Sequence, residues 1–124
     1  MVNNVTIKPW GKEILIEHNS KYAIKEIWMN KGSRSSLQRH NLKLESILVL
    51  SGKIELEVKK NGESSFRKYS AGEYYTLIPE TIHRVEVLEN CRLIEVSTPE
   101  LDDVIRLEDD FNRAGEENGS YRKP

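Results

Sequence analysis

The stretch SLQRHNLKLESILVLSG, Ser36 to Gly52, sets three metal-competent side chains at the beginning of a strand-turn-strand unit. Gln38 and His40 are two apart, so on an extended strand they share a face, and Glu45 opens the next strand after a short polar crossing. Ile47, Val49 and Ser51 have the parity of Glu45, which turns the carboxylate toward an apolar interior. A carboxylate left unpaired there is costly unless it is protonated or bound to a cation. Downstream, in LIPETIHRVEV, His83 has the parity of Val85 and Val87 and also points where the apolar residues point. Taken singly, His40 or His83 reads as an ordinary half-buried histidine. Taken together, two imidazoles, one carboxylate and the Gln38 amide oxygen suit a divalent first-row ion. Gln38 equally suits a supporting role, holding a water or orienting an imidazole.

Outward from this stretch the chain is a run of short strands and turns. Residues 1–7 form an arm, Pro9-Trp10-Gly11 a turn, and Glu13 to Glu17 a strand. Tyr22 to Met29 is a strand with neither face cleanly polar, and its exposed Trp28 favours association with a second copy. After Gly52, Ile54, Leu56 and Val58 alternate with charged residues, the pattern of a half-buried strand. Asn61-Gly62 is a hairpin turn leading to a strand from Ser65 to Tyr69. Further strands run from Tyr74 to Ile78, from His83 onward, and from Arg92 to Thr98, where Glu95 lies on one face with Leu93 and Ser97. No useful helical period occurs before residue 99, so the class is all-β, a sandwich or barrel. Pro99 to Arg113 differs in kind: Asp102-Asp103 could cap a short helical turn in an otherwise irregular segment. Residues 114–124 are polar and are expected to be a poorly ordered tail behind a single domain over 1–113.

Composition narrows the function classes. At 124 residues the chain is one domain, 31% charged and 37% apolar, with a formal net charge of −1. That balance gives no general surface for nucleic acid or anionic membrane. No stretch approaches the ~18 apolar residues of a membrane span, and the amino terminus lacks a signal-peptide pattern, so a cytoplasmic protein is the default expectation. Cys91 is the only cysteine, which excludes an intrachain disulfide and favours a structural thiol.

Gly32, five residues, Gln38, one, His40, four, Glu45, six, Gly52 is a spacing that resembles the first motif of the cupin superfamily, with Gln where many members have His. Gly72 to His83 resembles the second motif, with Pro79 one place late and Thr81 and Val87 in place of the usual Gly and Asn. Within the cupins the chain resembles the type II phosphomannose isomerase domain, through KPWGKE, SLQRH with its downstream Glu, and DDVIRLEDDFNR. The resemblance implies a double-stranded β-helix, or jelly-roll barrel, whose Gln38, His40, Glu45 and His83 surround zinc, with Fe2+, Mn2+ or Ni2+ as other candidates. It also implies a homodimer that interconverts mannose 6-phosphate and fructose 6-phosphate. Arg106 matches an Arg of the family's end segment and is assigned to oxyanion or phosphate contact, a salt bridge to Asp102, Asp103 or Asp110 being the alternative. Glu95 is the candidate base. Lys8, Arg34, Lys43 and Arg84 are possible phosphate contacts, with solvation the simpler reading for each. Where relatives carry a His-rich run, this chain has Asn41, Leu42 and Lys43. Two other functions fit a two-His, one-carboxylate set: a non-haem Fe(II) oxygenase, and a non-catalytic metal cupin that binds a sugar or a partner protein.

Overall fold

The computed structural model describes residues 4–111, which form nine strands. In chain order they are β1 (Asn4–Lys8), β2 (Gly11–His18), β3 (Ala23–Met29), β4 (Leu37–Arg39), β5 (Glu45–Lys60), β6 (Glu63–Ser70), β7 (Tyr74–Leu77), β8 (Ile82–Ser97) and β9 (Ile105–Glu108). β5 and β8, each of 16 residues, form an antiparallel ribbon from Glu45 opposite Ser97 to Lys59 opposite Ile82. Each end of the ribbon continues into its own neighbours. At one end β5 pairs β7, and β8 pairs β3, which leads to β2 and β1. At the other end β5 pairs β6, and β8 pairs β4, which leads to β9. Two curled sheets thus share two bent strands, the jelly-roll arrangement expected for this class.

The bend in β5 has a local cause. Register shifts fall between Val49 and Ile54, and across them the buried side chains change from Glu45, Ile47 and Val49 to Ile54 and Leu56. An inserted residue moves the alternation to the other parity and bends the strand. Gly52 sits inside this bend at φ +85°, where an added Cβ would lie 2.2 Å from the Asn90 carbonyl oxygen. Asn61 and Gly62, at φ 52° and 80°, make the tight reversal read from their sequence. Cys91 is buried against Met29 and Leu93 in the core, and burial pushes its thiol up to about 11, as suits a structural cysteine.

Three expectations are corrected. Residues 4–7 of the arm belong to β1, which pairs with β2 from Asn4 opposite Leu15 to Lys8 opposite Gly11. The segment after Pro99 has no helical turn: it is irregular to Val104 and then forms β9 against β4. The Asp103 carboxylate, expected to cap a helix, is taken up by the backbone N–H groups of Asn41, Leu42 and Lys43. The breaks read at Gly52 and before Arg92 fall within continuous strands, β5 and β8. The tail over 114–124 lies outside the described residues. Among those residues no helix is long and apolar enough to cross a membrane.

Candidate metal centre

The inner wall assigns the site residues through strand pairing. β4 lies between β8 and β9, with Gln38 opposite His83 on one side and opposite Arg106 on the other. Residues directly opposite on neighbouring strands face the same way, so His83, Gln38 and Arg106 form one row. A second row runs Leu15, Lys25, Glu95, Ile47, Tyr75. Glu45 is two residues from Ile47, and His40 follows β4 directly. Gln38 and Arg106 of the first row and Leu15, Lys25 and Glu95 of the second line a cavity of about 410 Å³, together with His40 and Glu45.

His40, Glu45 and His83 come together. One ligand atom from each lies within 4.8 Å of the others, and all three side chains are buried. Their imidazole planes are tilted by 45° with centroids 5.3 Å apart. His40 Nδ1 lies 2.5 Å from the Asp103 carbonyl oxygen and His83 Nδ1 lies 2.9 Å from that of Thr81. A carbonyl can only accept, so each Nδ1 carries the proton and each Nε2 is left to present a lone pair. His40 Nε2 stands 2.7 Å from Glu45 Oε2, an oxygen that receives no directed hydrogen bond from any described residue. Two acceptors at that distance repel unless positive charge joins them. A second proton on His40 does this for one pair, and a divalent cation does it for all three groups, so the donor set fits a metal. Gln38 lines the cavity, half-buried, directly opposite His83 on the neighbouring strand.

Charges around the triad favour its ionised form. Burial drives the Glu45 carboxyl up, but the contact with His40 and the charge of Lys43 outweigh it and hold the group at about 2. Burial pushes His83 down, keeping it neutral, with Glu45 opposing. Glu95 is raised by burial despite the Lys43 ammonium, whose Nζ lies 3.2 Å from its carboxylate. Burial would lower Lys43, but Glu95 and Glu45 together raise it, so it stays charged.

Lys43 is the residue that reading from sequence undervalued. Instead of pointing into solvent it is 5% exposed and forms the cavity wall with Glu95. A signal was present, since Lys43 shares the parity of Glu45, Ile47 and Val49. The Lys25–Glu13 pair at 3.2 Å lines the same cavity and carries the same signal, Lys25 alternating with Ala23, Ile27 and Met29. Of the other phosphate candidates, Lys8 lines the cavity, whereas Arg34 is committed to Asp110 at 2.6 and 2.8 Å. Arg84 is buried, donating to the carbonyls of Ser35 and Glu108, and so ties strands together. Tyr75 carries the other buried atom without a hydrogen-bond partner among the described residues, a hydroxyl that burial keeps protonated.

The chain is 31% identical over 106 residues to mannose-1-phosphate guanylyltransferase RfbM of Salmonella typhimurium, covering 82% of this chain and 21% of that protein. It is 32% identical over 114 residues to mannose-1-phosphate guanylyltransferase ManC of the same organism, covering 86% and 22%. The chain therefore spans about a fifth of the length of these relatives. Similar folds include KdgF from Halomonas sp., with TM-score 0.67, 19% identity, and 80% and 88% coverage of this chain and that one. Oxalate decarboxylase from Bacillus subtilis gives TM-score 0.75, 13% identity, and 85% and 30% coverage. The family described as mannose-6-phosphate isomerase C-terminal matches residues 2–109, and the chain belongs to that cupin-type family.

Proposed function

We propose that this chain is a metal-dependent sugar-phosphate isomerase that interconverts mannose 6-phosphate and fructose 6-phosphate. The observation that carries the reading is the convergence of His40, Glu45 and His83, with His40, Glu45 and the buried, ionisable Glu95 lining one cavity. His40, Glu45 and His83 would hold the ion, with Gln38 as a fourth donor. Zn2+ is the first choice, and Fe2+, Mn2+ and Ni2+ also suit the donors. Bacillus subtilis oxalate decarboxylase, similar in fold, has Mn(II) centres, which supports a divalent ion in this architecture. When bound, the ion supplies Lewis acidity toward adjacent sugar oxygens.

The chain's own residues handle the proton. Isomerisation removes the C2 proton of the aldose; its electron pair forms the C1–C2 double bond of an enediolate and charge moves to O1. A proton added at C1 and one passed from O2 to O1 complete the ketose. Glu95 is the proposed base, because its raised carboxyl is a better proton acceptor near neutral pH than an exposed one. Lys43 holds it in place. Arg106, on the cavity wall, is proposed to contact the developing oxyanion or the phosphate. Zinc-loaded protein assayed with mannose 6-phosphate and with fructose 6-phosphate should turn over both. Full metal occupancy without turnover of any hexose or pentose phosphate would overturn the isomerase and leave a metal-binding cupin that binds a sugar or a partner. Oxygen consumption dependent on Fe2+ would point instead to an oxygenase.

A further inference from the structure

The loop from His40 to Leu44 joins two of the three ligands and has no strand pairing of its own. Packing does little to hold the turn between His40 and Glu45: Leu42 is 69% and Leu44 41% exposed, Asn41 is exposed, and the buried side chains of the loop are His40 and Lys43. Its shape comes from the segment that follows β8. The Asp103 carboxylate accepts the N–H of Asn41 at 2.9 Å on one oxygen, and those of Leu42 and Lys43 at 2.6 and 2.9 Å on the other. The Asp103 carbonyl accepts from His40 Nδ1. Leu44 donates to Thr98 Oγ1 and accepts from the Thr98 N–H, both at 3.0 Å. Every residue of the loop is therefore bonded to Thr98 or Asp103.

We propose that Asp103 is the positioning residue of the metal centre, its carboxylate fixing the loop and its carbonyl presenting His40 Nε2 to the ion. This rests on the reading of His40, Glu45 and His83 as ligands. The residue type is specific to the task. Three backbone donors converge on two anionic oxygens, an arrangement that lowers the Asp103 carboxyl against the effect of its partial burial. An asparagine in either orientation replaces one of those oxygens by an NH2 that faces donors, losing one or two bonds and repelling what remains. A glutamate is one methylene too long for the same three bonds. Without the clamp the loop must be ordered at the moment the ion binds, and that cost falls on metal affinity.

The test is Zn2+ affinity of the full chain, measured by competition with a chromophoric chelator, alongside the thermal midpoint of metal-free protein and the absorption spectrum of the Co2+ form. D103N should weaken Zn2+ binding by ~10–100-fold and alter the Co2+ spectrum, as loss of a ligand-orienting partner does, while D110N, which cuts only the surface pair with Arg34, stays within ~threefold of wild type. Thr98→Val, which removes one tie at the other end of the loop, should weaken binding in the same direction by less, and carries the test if D103N does not fold. Wild-type protein that takes up no Zn2+ would overturn the ligand reading and this proposal with it. Unchanged Zn2+ affinity in D103N or Thr98→Val, with only the thermal midpoint lowered, would overturn the positioning role and leave the ligand set standing.

Discussion

Glu45 shows most directly how single side chains set the chemistry. Its carboxylate is buried, ionised and 2.7 Å from an imidazole nitrogen whose partner nitrogen is already bonded. Because its folded value of about 2 lies below the ordinary 4.5, ionised Glu45 stabilises metal-free protein above that ordinary value. The contribution is lost as pH falls through 2. The difference in urea midpoint between wild type and Glu45→Gln should therefore shrink as metal-free protein is taken from pH ~5 toward pH ~2, and a difference that grows contradicts the assignment. Glu95→Gln should keep its metal and lose ~100-fold or more in kcat, as removal of a general base does; loss of metal instead would make Glu95 part of the ligand shell. The convergence was legible in part because strand parity sends Glu45 and His83 toward apolar neighbours. Lys43 was not, because an ammonium is read as solvated unless its counter-ion is known, and Glu95 lies 52 residues away.

Among the elements, the bent β5–β8 ribbon positions everything else. Gly52 allows the bend because its positive φ and the nearby Asn90 and Cys91 backbone leave no room for a Cβ. Gly62 has a similar φ but open space around it. Gly62→Ala should cost about 1–2 kcal/mol for the left-handed conformation, whereas Gly52→Ala adds the overlap, a further ~1–3 kcal/mol. Equal losses in chemical denaturation would mean that the bend does not depend on Gly52. Strands with a clear alternation, such as Ile54 to Val58, were readable as they stand. β1 and β9 were not: Asn4–Lys8 is nearly all exposed, and Ile105–Glu108 is four residues whose partner, β4, lies more than sixty positions upstream. Such short edge strands are specified by the backbone groups they satisfy on a neighbour, and a local pattern does not carry that information.

For the whole molecule, turns and parity pointed to an all-β sandwich or barrel, and the resemblance carried by the motif spacing pointed to the jelly roll. What local pattern left open is how the sheets meet and what covers their outside. Trp28, 38% exposed, is flanked by Lys12 at 4.9 Å and Arg92 at 4.7 Å, so part of the face expected to seek a second copy is covered from within the chain. Ile16, Leu48 and Val96 remain 49%, 38% and 44% exposed on the outer side of that sheet. We propose that a second copy covers them: sedimentation should give a dimer for wild type and a monomer for Val96→Lys, and a wild-type monomer at micromolar concentration contradicts it. The proposed function depends on one condition above all, that residues far apart in sequence converge on a single cation. The decisive measurement is metal content after equilibration with Zn2+ and removal of excess, by elemental analysis of wild type and His83→Ala. One equivalent in wild type, with most of it lost in the variant, is the expected result; no metal in wild type, or a full equivalent retained in His83→Ala, would contradict it.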